Sequence, residues 1–362
     1  MRRTDALIVG GGPAGAAAAI ALARGGVRAE LFERSPGDRD VVCGGFLGWD
    51  ALARLRRLGV DPEALGARPI RRLRLVAGEA AVETALPAVA AGLSRRRLDA
   101  ALLDAAEQAG TRVARGRTAR ALEADQVRFD DGELVAADAL FLATGKHELR
   151  GAARDLAGRR EPPAVGLRAA LPARPDLERA LAGMIELHLF DQGYAGLLLQ
   201  EDGSANLCVS VSRERLAGEG GPEALVRALA GESALLRRRL GDHWPEQWEA
   251  VAGVPYGWRA EAVGPGLFRL GDQAAVIASL AGDGIAIALA SGEAAARAHL
   301  AGGPGAAPGY QRAFSRRAER PVRFAEILRH AAERPATRWT MVRLVGLLPA
   351  TARLAARLTR VG

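Results

Sequence analysis

Apolar positions fall into short unbroken runs in some parts of the chain and into helical spacing in others. Ala6-Leu7-Ile8-Val9 reads as a short buried strand. It leads into Gly10-Gly11-Gly12-Pro13-Ala14-Gly15, and Ala16 to Arg24 then reads as a helix stopped by Gly25-Gly26. Ala29-Glu30-Leu31-Phe32 is a second strand with Glu33 at its end. Ser94-Arg95-Arg96-Arg97-Leu98-Asp99 opens an amphipathic helix with Leu98, Leu102 and Leu103 on one side. Gln126 to Val135 reads as a hairpin with an Asp-Gly turn, and Ala139 to Gly145 as a buried strand ending in Ala-Thr-Gly. Further strands are expected at Ala164–Ala170, Ile185–Phe190, Ala195–Leu199 and Asn206–Ser210, with a hairpin turn over Gln200–Ser204. Helices are expected from about residue 308 onward.

Composition narrows the class. At 362 residues the chain is long enough for two domains of about 150 residues, or for one large interleaved unit. An apolar fraction of 49% and a charged fraction of 25% are those of a globular protein and exclude general disorder. Two cysteines, Cys43 and Cys208, exclude a disulfide framework and point to a reducing, cytoplasmic setting. The formal net charge of +8 comes from arginines spread along the chain, with Lys146 the single lysine. Aromatics at 4% are too sparse for a base-stacking platform, so no nucleic-acid partner is expected. The apolar run Ala6 to Ala23 is interrupted by the glycine cluster, which breaks a membrane-spanning helix and argues against a secretory signal. The five histidines show no metal-ligand spacing, so no metal site is expected.

The first loop carries chemistry. Gly10-x-Gly12-x-x-Gly15 stands between a strand and a helix, and an acid follows about 20 residues on. Gly10 permits the tight turn, Gly12 lets backbone approach a pyrophosphate, and Gly15 lets helix and strand pack closely. The helix N-terminus favours the phosphates, and Glu33 can accept hydrogen bonds from a ribose. This is a dinucleotide-binding arrangement.

A second segment, Leu267-Phe268-Arg269-Leu270-Gly271-Asp272-Gln273 followed by Ala281-Gly282-Asp283-Gly284-Ile285, resembles the second FAD signature of flavoproteins of the glutathione-reductase type. With Val42-Cys43-Gly44-Gly45-Phe46-Leu47, the chain resembles the superfamily of geranylgeranyl reductases and single-component flavin hydroxylases, and is more similar to the reductase branch. The resemblance runs from Asp5 to about Leu300. It implies an α/β fold: a glutathione-reductase-type FAD-binding Rossmann domain (1–68, 93–155 and 258–302), an inserted mixed-sheet substrate domain (69–92 and 156–257) and C-terminal helices (303–362). The cofactor implied is FAD. Its expected contacts are Gly10, Gly12, Pro13, Ala14 and Gly15 in the first loop, Glu33 and Arg34 after the second strand, and Cys43 and Gly44. Arg95 before its helix, Thr144 and Gly145, and Gly271 and Asp272 continue the set, which Gly282, Asp283, Gly284 and Ile285 complete. In this resemblance Asp272 holds the ribityl chain, and the helix beginning near Ile285 points its N-terminus at the flavin ring.

Three departures shape the reaction. Hydroxylases usually have Ala-Asp-Gly where this chain has Ala143-Thr144-Gly145. Both branches usually carry a proline just before Gly-x-Gly, and Ile277-Ala278-Ser279-Leu280-Ala281 has none. No second dinucleotide fingerprint follows, so NAD(P)H as external reductant binds without its own Rossmann unit, or a partner protein delivers electrons. Three functions are weighed. One is reduction of a carbon–carbon double bond in a lipophilic molecule, with Cys43 as catalytic proton source. The second is hydroxylation of an aromatic or polyketide-like substrate, and the third is electron carriage. Cys43-Gly44-Gly45 and Thr144 favour the first. Cys208, in the alternating stretch Asn206 to Ser210, reads as sheet filler, and Trp244 and Trp248 as core or pocket lining. Arg338, Arg343, Arg353, Arg357 and Arg360 lie in an acid-free, apolar-faced C-terminal stretch, for which at most peripheral membrane contact is expected.

Overall fold

The computed structural model describes residues 2–157 and 163–361; residues 158–162, within the expected inserted domain, lie outside the described residues. In the first half of the chain the strands are β1 (Arg2–Val9), β2 (Ala29–Glu33), β3 (Phe46–Leu47), β4 (Arg68–Ala77), β5 (Ala80–Gly92), β6 (Arg112–Arg115), β7 (Ala119–Glu123), β8 (Gln126–Phe129) and β9 (Leu134–Leu142). The second half adds β10 (Ala164–Leu171), β11 (Met184–Phe190), β12 (Gly193–Leu199), β13 (Ala205–Val211), β14 (Glu249–Val254) and β15 (Leu267–Arg269). The helices are α1 (Pro13–Arg24), α2 (Trp49–Leu58), α3 (Arg95–Gln108), α4 (Pro175–Leu181), α5 (Arg213–Glu219), α6 (Pro222–Glu232) and α7 (Ala234–Leu240), then α8 (Gly284–Gly302), α9 (Ala307–Glu333), α10 (Pro335–Leu347) and α11 (Ala350–Leu358).

Two sheets carry the architecture. The first has the order β6-β2-β1-β9-β8-β7, with β15 also pairing β9. β1 runs parallel to β2 and β9, and β15 is parallel to β9, so the carboxyl ends of these strands share one edge. The second has the order β14-β10-β13-β12-β11-β4-β5-β3 and is antiparallel except where β4 meets β11. Phe46 and Leu47 belong to this second sheet, through their pairing with Gly92 and Ala91, although they follow the first motif in sequence.

Small residues bring the cofactor-facing helix ends together. The alanine-rich α1 is buried from Pro13 to Ile20. It lies so close to α8 that a side chain on Gly292 would collide with the α1 backbone at Ala14 and Ala18. A side chain on Gly15 would likewise meet the Gly10 carbonyl, which is the close helix–strand approach expected of it. Both helices therefore start at the carboxyl edge of the first sheet, where ligands of open α/β sheets sit. At the other end of the chain, Val342 and Val345 of α10 pack on Leu75, Leu187 and Leu189 of the second sheet. The C-terminal helices thus brace the inserted sheet as well as the first domain.

Candidate functional site

A cavity of about 920 Å³ runs from the carboxyl edge of the first sheet across to the inner face of the second. That is near the top of the range for small-molecule and cofactor sites. Its polar end is built by β1, α1 and β2. Gly10 adopts φ +107°, a conformation a side chain would strain, and its Cβ would run into the Ala143 carbonyl. Neither α1, capped by Gly12, nor α8, capped by Asp283, receives a side-chain capping bond, so the amides of both first turns are left for a ligand. Pro13 and Ala14 at the start of α1 line the cavity.

Glu33 stands at the end of β2 with its carboxylate fixed: one oxygen accepts from Gly11 N at 2.7 Å and the other from Ser35 N at 2.8 Å. Each oxygen keeps lone-pair capacity for a ribose hydroxyl. Arg34 lies beside it, its Nη2 2.8 Å from His147 Nε2. Burial and the nearby Arg39 lower the Arg34 pKa from its ordinary value. Arg95 reaches the first loop: its Nη2 would be 3.3 Å from a Cβ on Gly12. Burial opposes its charge, but Asp99, bonded at 2.6 and 2.8 Å, and the Cys43 thiol raise its pKa. Arg95 is therefore a fixed cation next to the loop expected to hold a pyrophosphate.

The far wall comes from β9, β15 and the segment before α8. Thr144 Oγ1 donates to His147 O at 2.7 Å, and Gln273 Nε2 donates to Gly145 O at 2.9 Å. The first closes the turn after β9 on itself, and the second ties it to the turn Gly271–Gln273. Gly271 N donates to Ser291 Oγ of α8 at 2.8 Å. Asp272 lines the cavity 3.4 Å from Lys146 Nζ. Burial works against the Lys146 charge, while Asp272 raises its pKa above the ordinary lysine value. Gly282 adopts φ +69°, and a Cβ there would lie 2.8 Å from the Phe46 ring, so this loop and the Cys43–Phe46 segment touch. Gly284 and Ile285 also face the cavity.

Asp283 departs from the expected pattern. Its side chain is fully buried and turned toward the C-terminal segment, where it accepts from Arg360 Nη1 at 2.6 Å and Val361 N at 3.2 Å. The carboxylate does not line the cavity, so any cofactor contact from this residue comes through its backbone.

Cys43 is held at the seam between the two sheets. Gly45 N lies 3.5 Å from its Sγ, Asn206 Nδ2 donates to its carbonyl at 2.9 Å, and Leu93 N donates to Gly45 O at 2.9 Å. Asn206 is held in turn by Arg168 Nε at 2.9 Å, and Arg168 also binds Asp40 at 2.9 Å. The inserted sheet thus clamps both ends of the loop that carries the thiol. Cys43 and Gly44 both line the cavity. Cys208, on β13, lines it too, and burial pushes its thiol up to about 12. Trp244 and Trp248 instead pack on the core under α6.

Beyond Cys43 the chamber is apolar, with Ile185, Leu187, Leu198, Val254 and Leu280 in its walls. Tyr194, Tyr256, Ser279 and Lys146 are lining residues that the sequence reading did not reach. None belongs to a motif; only the Ile277–Ala281 departure drew attention near one of them.

These features fit FAD: a cavity of suitable size, two uncapped helix N-termini, a seated carboxylate for the ribose, a fixed arginine and a glycine cradle. Residues 3–150 match the family of FAD binding domains. The chain is 30% identical over 323 residues to a menaquinone reductase of Mycolicibacterium smegmatis, covering 83% of this chain and 77% of that protein. It superposes on a geranylgeranyl bacteriochlorophyll reductase-like protein of Thermoplasma acidophilum with TM-score 0.69 at 19% identity, covering 100% of this chain and 94% of the other. It superposes on PqsL of Pseudomonas aeruginosa, described as a probable FAD-dependent monooxygenase, with TM-score 0.73 at 20% identity, covering 94% of this chain and all of that one. The chain belongs to the family of FAD-dependent oxidoreductases that includes the mycobacterial menaquinone reductase, within the superfamily of geranylgeranyl reductases and flavin hydroxylases.

Proposed function

We propose that this protein reduces a carbon–carbon double bond in a lipophilic substrate, with a prenylated quinone as the substrate class that the menaquinone reductase relative supports. The observation that carries the reading is the placement of Cys43. The thiol-bearing loop touches the Gly282 loop through Phe46 and opens onto an apolar chamber. Saturating a double bond adds two hydrogens. Bound FAD supplies an electron pair with one of them, and the protein must deliver the other as a proton. The Cys43 thiol on the chamber wall is the group that could deliver that proton to carbon. The remaining groups have supporting tasks. Arg95 and the amides at the start of α1 would hold the pyrophosphate, Glu33 the adenosine ribose and Asp272 the ribityl chain. The amides at the start of α8 would favour negative charge on the reduced ring. The apolar wall excludes water from the substrate. The second sheet is largely antiparallel and offers no further βαβ dinucleotide site among the described residues. NAD(P)H, or a donor protein, would therefore reduce the cofactor from a surface without a second Rossmann unit.

Hydroxylation is the rival reading, supported by the shared fold with PqsL. Against it stands the Cys43 thiol in the same chamber, a group open to oxidation by a peroxide-level species. The deciding experiment uses FAD-loaded protein, reduced anaerobically, with a prenylated naphthoquinone, and mass analysis of the product after any quinol has been reoxidised to the quinone, so that only hydrogens added to carbon are counted. Two added hydrogens are expected; one added oxygen after exposure to air overturns the proposal. Cys43→Ser should keep FAD bound and be reduced at a near-normal rate, yet form product about a hundred-fold more slowly. Unchanged product formation would remove Cys43 from the proton role.

A further inference from the structure

The apolar chamber carries a cluster of hydroxyls on its wall. Tyr194 from β12, Tyr256 from the turn after β14 and Ser279 from the stretch before the Gly282 loop converge there. Ser279 Oγ is 2.6 Å from Tyr256 Oη and also in a short hydrogen bond with Tyr194 Oη. Ser210 Oγ extends the row from β13, 3.2 Å from Tyr256 Oη. Three of the four hydroxyls belong to residues almost fully buried: Tyr194 is 5% exposed, Tyr256 7% and Ser210 3%, while Ser279 opens onto the cavity. Burial raises the pKa of both phenols, so each keeps its proton and stays a donor.

This arrangement is costly as plain packing, because phenylalanine and alanine would fill the same wall without buried polar atoms. Hydroxyls differ from other polar groups in that each both donates and accepts and can rotate. A row of them can therefore turn one O–H toward an incoming acceptor while the others keep their bonds. Apolar pockets use a few such placed groups to orient a ligand. The hydroxyl of Ser279 stands in the segment where related flavoproteins usually have a proline, a residue with no such group.

We propose that Tyr194, Ser279 and Tyr256 bind a carbonyl or hydroxyl oxygen of the lipophilic substrate and so anchor its polar end relative to Cys43. This rests on the reading that the chamber holds that substrate. The three residues are positioning groups: they select and place a ligand that has an oxygen.

The test uses the oxidised holoenzyme and two ring systems of the same shape: menadione, which has two carbonyls and no tail, and 2-methylnaphthalene, which has none. Binding is read from the perturbation of FAD absorbance and fluorescence. The wild type should bind menadione about tenfold more tightly, the usual worth of one net hydrogen bond. Tyr194→Phe and Ser279→Ala should each cut that preference to about twofold while leaving the affinity for 2-methylnaphthalene unchanged. Tyr256→Phe serves as a third variant, and FAD content with thermal melting shows that each variant is folded. Equal affinities in the wild type, no menadione binding, or retained preference in folded variants overturns the proposal. Its failure is separable from that of the reductase reading. An oxygenated product with intact ligand preference would sink the reaction but leave the anchor, and a doubly hydrogenated product with no preference would do the reverse.

Discussion

Asp272 and Lys146 face each other in the cavity at 3.4 Å, and Lys146 is the chain's single lysine. A carboxylate placed on the cavity wall suits a hydroxyl-rich ligand segment as an acceptor. Asp272→Ala should weaken FAD binding ten- to a hundred-fold, corresponding to about 1.5–3 kcal/mol for a hydrogen bond to a charged group. Calorimetric titration of the apoprotein with FAD measures it, and an affinity within twofold of wild type would exclude the ribityl contact. Residues such as Asp272, Glu33 and Cys43 are legible in the sequence because each lies in a short motif whose geometry is local. Tyr194, Tyr256 and Ser279 are not, because they stand 62 and 23 residues apart and become neighbours only when β12, β14 and the segment before α8 come together. Nothing local about Tyr194 separates it from any other strand tyrosine.

At the scale of elements, the loop before α8 is fastened from behind. Asp283 caps α8 in sequence, yet its carboxylate bonds to Arg360 and to the Val361 amide, and the Arg360 guanidinium also stacks 4.2 Å over the Trp49 ring of α2. The strand–glycine–helix signals at both ends of the FAD domain were readable because periodicity and turn chemistry specify them locally. The return of the chain's last residues to the flavin loop, 77 positions from Asp283, depends on packing that no local pattern encodes. This contact has a pH signature. Burial pushes Asp283 up to about 7, against the pull of Arg360, whereas an unfolded aspartate titrates near 3.9. Between those values the folded chain holds a proton that the unfolded chain has lost. The contribution is therefore complete below about pH 4 and is lost as pH rises through about 7. Asp283→Asn, which stays neutral, should lack this slope. Melting temperatures at pH 5 and pH 8 check it: the wild type should lose ground to the variant at the higher pH. A gap that does not change with pH would show that the carboxylate does not titrate in this range.

For the whole molecule, the last two helices present a surface that the rest of the fold does not cover. α11 buries none of its residues and α10 only Val342 and Val345. Trp339, Leu344, Leu347, Leu348, Leu354 and Leu358 are all more than 40% exposed, with Leu347 at 81%. No acidic residue follows Glu333. Arg360 is occupied by Asp283 and Arg338 has part of its guanidinium buried, which leaves Arg334, Arg343, Arg353 and Arg357 as the exposed basic groups of this stretch. Among the described residues no helix is long and apolar enough to cross a membrane. Exposed leucines and a tryptophan flanked by arginines match a helix pair lying on an anionic bilayer. A groove of about 520 Å³ between α11 and β5, lined by Leu86, Pro87 and Leu354, lies on the same face. Leu86 packs against the cluster of Phe46, Ile70, Ala90 and Leu198, of which Phe46 and Leu198 also line the chamber, so apolar material connects this surface with the site. Sedimentation with vesicles should show weak binding to phosphatidylglycerol-containing membranes, lost on raising salt, and less binding to phosphatidylcholine alone. Removing Arg353 and Arg357 together should reduce binding by at least tenfold, at about 1 kcal/mol per charge. Leu347→Glu with Leu354→Glu should abolish binding while leaving FAD content unchanged. Equal binding to neutral and anionic vesicles would remove the arginines from the account. A mass that doubles with concentration and falls back in the leucine variant would assign the same face to a second copy of the chain.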